Sequence, residues 1–193
     1  ATHRLFERAL ELGCRLRIHT DQFNELGATA MAIDLGARSV DHMEASTTAT
    51  IERMAAAAGS NTIGVMLPCA GLHVDDRYAD GRALVDAGAA VAIATNFNPG
   101  SAPCPSMPFT IAMACRKNRL TPAEAITAAT WNAACVLDRQ SEAGAIAVGR
   151  PADLVLLDTT DERMLGFEFA TTPPAIVMIG GRLMRDSRRA VMV

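Results

Sequence analysis

The chain holds 193 residues, half of them hydrophobic, with 18 basic and 21 acidic side chains and a net charge of −3. This balance offers no basic face for a nucleic-acid partner, the apolar content excludes disorder, and no apolar run approaches the ~20 residues of a membrane span. Five cysteines, Cys14, Cys69, Cys104, Cys115 and Cys135, are scattered and odd in number. That pattern suits reduced thiols in a cytoplasmic protein better than a disulfide frame or structural zinc.

The start, up to Gly13, lacks the basic end and apolar core of a signal peptide and reads as a mid-domain helix over residues 2–13. A strand over Cys14–His19 follows, then a helix over 25–36 closed by Gly36 and a strand over Ser39–His42. The same alternation gives a helix over 48–58, a strand over Asn61–Leu67, a helix over 76–87 and an apolar strand over Ala89–Thr95. Glycine repeatedly falls where a helix must stop, the place where a left-handed residue is needed. Two helices come next, over 106–117 and 121–136. The second opens on ThrProAlaGlu, a capping box with Pro at the first helical position. Beyond Gly144 the texture changes to short strands, Asp153–Leu157, Ile176–Ile179 and Arg182–Met184, parted by ProPro and GlyGly turns. The boundary is expected near 138–143, dividing a strand-and-helix unit over 1–140 from part of a small β subdomain over 141–193.

Strand ends at His19, His42, Leu67 and Thr95 lie 23, 25 and 28 residues apart. Such spacing implies right-handed βαβ crossovers and a parallel sheet buried on both faces. A (β/α)8 barrel and an open doubly wound sheet share it, and no glycine-rich phosphate motif follows any strand to favour the latter. Four units are half of a barrel. The chain is therefore expected to be the second half of something longer, or a split product that needs a partner half to cover its open sheet edges.

In a parallel barrel the chemistry sits at the C-terminal strand ends. There the sequence places His19, Thr20, Asp21 and Gln22, then Asp41, His42 and Glu44, then Asn96 and Asn98 with Pro99 and Gly100. Two imidazoles at adjacent strand ends suit a metal centre or proton transfer, because imidazole is both a ligand and a base titrating near ~6.5. Asp21, Asp41 and Glu44 are candidates to orient those rings, although Glu44 reads more naturally as a solvated or capping carboxylate. His3 and His73 read as surface residues, and Met107, Met113 and Trp131 as core filler. Residues 96–106 form a Pro-, Gly- and Asn-rich loop placed like an active-site loop. Cys69 and Cys104 lie near the mouth without an activating base.

IleHisThrAspGlnPheAsnGluLeuGly (18–27), SerValAspHisMetGlu (39–44) and ThrAsnPheAsnProGlySer (95–101) together resemble imidazolonepropionase, of the metal-dependent amidohydrolase superfamily. GlyArgProAlaAspLeuValLeuLeuAsp (149–158) is similar to the superfamily's return to its β-sandwich. The resemblance implies the C-terminal half of a (β/α)8 TIM-like amidohydrolase barrel with part of a β-sandwich. It implies one divalent metal, zinc or iron, and hydrolysis of the cyclic amide 4-imidazolone-5-propanoate to N-formimidoyl-glutamate in histidine degradation. By the match, His19 is a metal ligand on the fifth barrel strand, and His42 on the sixth is catalytic beside the substrate carbonyl. Gln22, Asn98, Gly100 and Ser101 bind the substrate. The metal would polarise the ring amide and acidify its water, and a carboxylate would take and return the proton.

Two departures stand out. The family's Asp, both metal ligand and proton acceptor, is Asn96 here, and the HisXaaHis pair of the first barrel strand is absent along with four βα units. The implied partners are a small-molecule substrate and the missing N-terminal half, with a homodimer as an expectation for the full-length protein. Alternative readings are an amidohydrolase of nucleobase or guanidine deaminase type, or a degenerate non-catalytic homologue, which Asn96 favours.

Overall fold

A computed structural model describes residues 1–60, 62–171 and 173–187. Helix α1 (Thr2–Glu11) leads into strand β1 (Arg17–Thr20), and α2 (Ala28–Asp34) into β2 (Ser39–His42). Helix α3 (Thr48–Ala56) and a 3-10 turn precede β3 (Ile63–Met66); α4 (Pro68–Val74) and α5 (Gly81–Asp86) precede β4 (Val91–Ile93). The four strands form one parallel sheet in the order β1-β2-β3-β4, the half-barrel arrangement that the spacing implies. The expected strand start at Asn61 lies outside the described residues.

Alternating side chains divide the sheet into two apolar layers, as period-2 geometry requires. Val40, Met66, Val91 and Ile93 face the helices, packing with Met54, Leu84, Ile111 and Leu120. Ile63, Val65, Leu67 and Ala92 form the opposite layer with Cys69, Ala70, Ala102 and Val136. Sequence patterning anticipated both, because β3 and β4 are buried along their whole length.

Helix α6 (Met107–Lys117) starts at Ser106, whose hydroxyl accepts from the Phe109 N–H. Helix α7 (Pro122–Ala129) carries the expected capping box between Thr121 and Glu124. The single helix expected over 121–136 is in fact two. Thr130 breaks it at φ −118°, ψ −84°, and α8 (Trp131–Val136) follows. The Thr130 hydroxyl donates back to the Ile126 carbonyl at 2.7 Å, a competition that bends helices. Asn132 then anchors α8 beneath the sheet, donating to the Val91 carbonyl at 2.7 Å. Arg17 and Arg38 donate to the Val136 and Cys135 carbonyls at 2.8 and 2.9 Å, placing cations at the electronegative helix end. This closes the N-terminal end of the sheet. Trp131 is not core filler: it is exposed, with the Arg150 guanidinium 5.3 Å above its ring.

Helix α4 was not expected, because Pro68 reads as a strand terminator. It is also the first residue of a helix, where its missing N–H costs nothing. Gly71 is required in it, since a Cβ there would lie 2.1 Å from the Arg77 carbonyl oxygen.

In the tail, β5 (Leu154–Leu156), β6 (Ile176–Ile179) and β7 (Arg182–Asp186) form an antiparallel sheet. Gly180 and Gly181, both at positive φ, supply the two-residue hairpin turn. A short unexpected helix, α9 (Met164–Phe167), docks on α6. Arg116 donates to the Gly166 and Phe167 carbonyls and lies 4.4 Å over the Phe169 ring. Val155, Leu156, Ile179, Leu183 and Met184 of the tail sheet are exposed. No helix among the described residues is long and apolar enough to cross a membrane.

Arg82 clasps Glu124 with two hydrogen bonds, at 2.9 and 3.1 Å. Chiefly through them, the carboxyl is held down at about 2. A depressed folded-state value contributes stability that is complete above the unfolded value near ~4.3 and is lost as pH falls through about 2. Melting temperature measured from pH 6 to pH 2 should therefore fall less steeply for Glu124→Gln than for the parent, with the gap closing below pH 4.

Candidate active site

Parallel pairing of β1 with β2 sets His19 opposite Asp41 and Thr20 opposite His42. At the strand ends the two imidazoles meet, their ring centroids 5.0 Å apart and inclined by 52°. They differ in environment. The His19 side chain is 62% exposed, whereas that of His42 is 4% exposed. Asp41 Oδ2 lies 4.0 Å from His19 Nε2. Burial pushes the Asp41 carboxyl above the usual carboxylate range, opposed by a Ser39 hydrogen bond and by His19, His42 and Arg17.

Beyond β2 the backbone turns sharply. His42 and Met43 both adopt left-handed conformations, at φ 86° and 72°, which non-glycine residues rarely do. The turn folds the chain back on itself so that Glu44 Oε1 comes within 3.1 Å of His42 Nδ1. The Glu44 side chain is 4% exposed. It is not the solvated carboxylate that its position in the sequence suggests, and its Oε2 atom is buried without a hydrogen-bond partner among the described residues.

Asp21 holds these loops together. Its buried carboxylate accepts from Thr20 Oγ1 at 3.0 Å, Thr29 Oγ1 at 2.7 Å and Ser46 Oγ at 3.0 Å, while its carbonyl accepts from Ala45 N at 2.7 Å. One side chain thus ties the end of β1 to α2 and to the loop after β2. A buried carboxylate is tolerated when its lone pairs are filled in this way. Thr29 and Ser46 escape sequence reasoning, since a lone hydroxyl carries no motif. Gln22 sits half-buried in the loop after β1.

The loop after β4 is ordered by Asn98. Its Oδ1 accepts from the Gly100 and Ser101 amides, both at 2.8 Å. Its Nδ2 donates to the Asn96 carbonyl at 2.7 Å and to Ser101 Oγ at 2.9 Å. The Asn98 amide is therefore engaged by its own loop, and Gly100 and Ser101 are held by it. Asn96 is half-buried at φ 52°, and among the described residues its side-chain amide makes no hydrogen bond. His73 is exposed on α4 and His3 on α1. Cys69 is buried, 3.3 Å from Thr110 Oγ1, and burial raises its thiol, so it stays a structural thiol.

A model of the amidohydrolase family matches residues 5–184. The chain belongs to that family. Imidazolonepropionase from Herpetosiphon aurantiacus is 45% identical over 97% of the chain and 43% of its own length. Imidazolonepropionase from Rubrobacter xylanophilus is 42% identical over 94% of the chain and 43% of its own length. The chain thus spans less than half the length of the curated relatives that it matches. Among solved structures, a zinc-bound adenosine deaminase from Xanthomonas campestris superposes with a TM-score of 0.78 at 21% identity, covering 96% of this chain and 48% of that one. An atrazine chlorohydrolase variant from Arthrobacter aurescens, complexed with zinc and atraton, gives 0.74 at 19% identity over 99% and 49%. At those identities the likeness establishes the fold: the four-stranded sheet is half of an amidohydrolase barrel.

At the strand ends the chain presents the imidazoles of His19 and His42 and the carboxylate of Asp41. Among the described residues no group of three His, Cys, Asp or Glu is gathered as a metal would require.

Replacing Thr29 by Val should leave the buried Asp21 carboxylate short of one donor. Removing such a partner costs about 1–3 kcal/mol, so denaturant unfolding should shift by that amount; an unchanged midpoint would remove Asp21 from its role as the tie.

Proposed function

We propose that this chain supplies the His19–His42 side of the active site of a hydrolase acting on a C–N bond of a cyclic amide. The substrate is 4-imidazolone-5-propanoate and the product N-formimidoyl-glutamate, in a cytoplasmic step of histidine degradation. The observation that carries the reading is 45% identity to an imidazolonepropionase across 97% of the chain, with the two imidazoles of the shared segments 5.0 Å apart at strand ends.

One divalent metal, zinc or iron, belongs to this reading. The donor chemistry fits one side of such a site: an exposed imidazole at His19, with Asp41 close behind it. No third donor is gathered among the described residues, so the remaining ligands come from barrel strands outside this chain. When bound, the metal supplies Lewis-acid polarisation of the ring amide and makes water easier to deprotonate.

The chain's own residues do the rest. His42, shielded from solvent, faces the reacting carbonyl and moves a proton at a ring nitrogen. Gln22 orients the imidazolone ring from the loop after β1. The loop held by Asn98 presents Gly100 and Ser101 to the substrate. Asn96 stands where proton transfer calls for a carboxylate. An amide oxygen can ligate a metal, but an amide cannot take up a proton as a base near neutrality. This favours, as a second reading, a homologue that binds without efficient turnover. The domain division proposed here places residues 1–140 in the barrel and 141–193 in the β-sandwich.

Zinc and iron would be quantified on the chain assembled with a polypeptide that completes the barrel, and turnover of imidazolone propanoate followed. Little turnover is expected from the chain alone. In the assembled form, activity should track metal content, and Asn96→Asp should raise the rate by about 10²–10⁴. Full turnover by metal-free protein would contradict the metal's role, and an inert, metal-loaded Asn96→Asp assembly would contradict the reaction.

A further inference from the structure

We propose that Glu44 is a positioning residue that holds His42 in its Nδ1–H tautomer, leaving the Nε2 lone pair as the proton acceptor. The assignment rests on the reading of His42 as the catalytic imidazole, and it adds the group that sets which nitrogen does the work.

Glu44 Oε1 lies 3.1 Å from His42 Nδ1, and both side chains are 4% exposed. The other carboxylate oxygen is buried and has no hydrogen-bond partner among the described residues. An ionised carboxylate accepts and does not donate, and against it the imidazole N–H points at Oε1. The opposite tautomer would set a nitrogen lone pair against Oε1 and leave both buried oxygens unsatisfied, a desolvation penalty without return. A neutral imidazole carries one proton, and with that proton on Nδ1 the Nε2 atom on the far side of the ring is a free acceptor.

The backbone is arranged for this contact. Residues two apart on a strand point the same way with their Cβ atoms well separated. The left-handed conformations of His42 and Met43 bring Glu44 back beneath the ring. Strain of that sort persists where surrounding structure over-determines it. Here Met43 is buried over Gly64, where a Cβ would come within 2.9 Å of Met43 Sδ. The Met43 amide donates to the Thr20 carbonyl at 3.3 Å, and Ala45 N and Ser46 Oγ are both bound to Asp21. A strained turn pinned from three directions serves to deliver one carboxylate to one ring nitrogen.

The test is long-range ¹⁵N–¹H NMR on ¹⁵N-labelled chain at pH 8 without metal, with backbone amide shift dispersion as the check on folding. In the parent protein His42 should be mainly Nδ1–H. Glu44→Ala, and the bulkier apolar Glu44→Leu if the alanine variant does not fold, should cut that fraction by at least half, and Glu44→Asp should restore part of it. In the assembled enzyme Glu44→Ala should lower kcat by roughly 10–100-fold with KM little changed. An Nε2–H tautomer in the parent, or a tautomer ratio unmoved in the variants, would overturn the assignment. The spectra need neither metal nor substrate, so a failure to hydrolyse imidazolone propanoate would sink the proposed reaction and leave this result standing.

Discussion

Parallel pairing of β1 with β2 in a single register, His19 opposite Asp41 and Thr20 opposite His42, is the constraint on which the site depends. Moving one strand by one residue would reverse the face of every side chain on it. It would bury His19 among the helices and drive Ile18 to the open end. The register is specified by the apolar layers on both sides of the sheet, Val40 and Met66 on one and Val65 and Ala92 on the other. That burial sets the two strand ends level; alternation along β2 would put His42 on the face opposite His19, and the left-handed conformation at His42 accompanies the approach of its ring to 5.0 Å from the other.

Around that alignment, stability and strain are divided. Asp21 concentrates four hydrogen bonds at the end of β1, and these hold the left-handed turn after β2 in place. At the opposite end of the sheet, Arg17 and Arg38 reach the carbonyls of α8 and close the layer. That end is well packed and charge-neutralised, with Asp138 left-handed beside Arg38; at the C-terminal strand ends four residues are left-handed, Asp21, His42, Met43 and Asn96. That distribution is expected where geometry must be held for chemistry.

Much of this was legible in the sequence. The strands Ser39–His42 and Ile176–Ile179 have the expected bounds because strong turn signals flank them. Strand β1 begins three residues later than the apolar pattern implies, since the Cys14 amide is still bonded to the Ala9 carbonyl at the end of α1. Helix α4 was hidden because Pro68 can end a strand and begin a helix. The burial of Glu44 was beyond reach of patterning: a carboxylate two residues past a strand faces solvent unless the backbone reverses, and nothing in SerValAspHisMetGlu announces two left-handed residues. Trp131 misled for a related reason. Its aromatic bulk argued for the core, but the break at Thr130 swings it outward over Arg150.

The central claim is that the strand register and the left-handed turn at His42 together bring His19 and His42 into one site. It is tested most directly by the nuclear Overhauser effect between their ring protons, measured on the intact chain with each signal assigned by single substitution. Centroids 5.0 Å apart predict a clear cross-peak between the two rings. Its absence, with both rings otherwise resolved in a folded protein, would contradict the account.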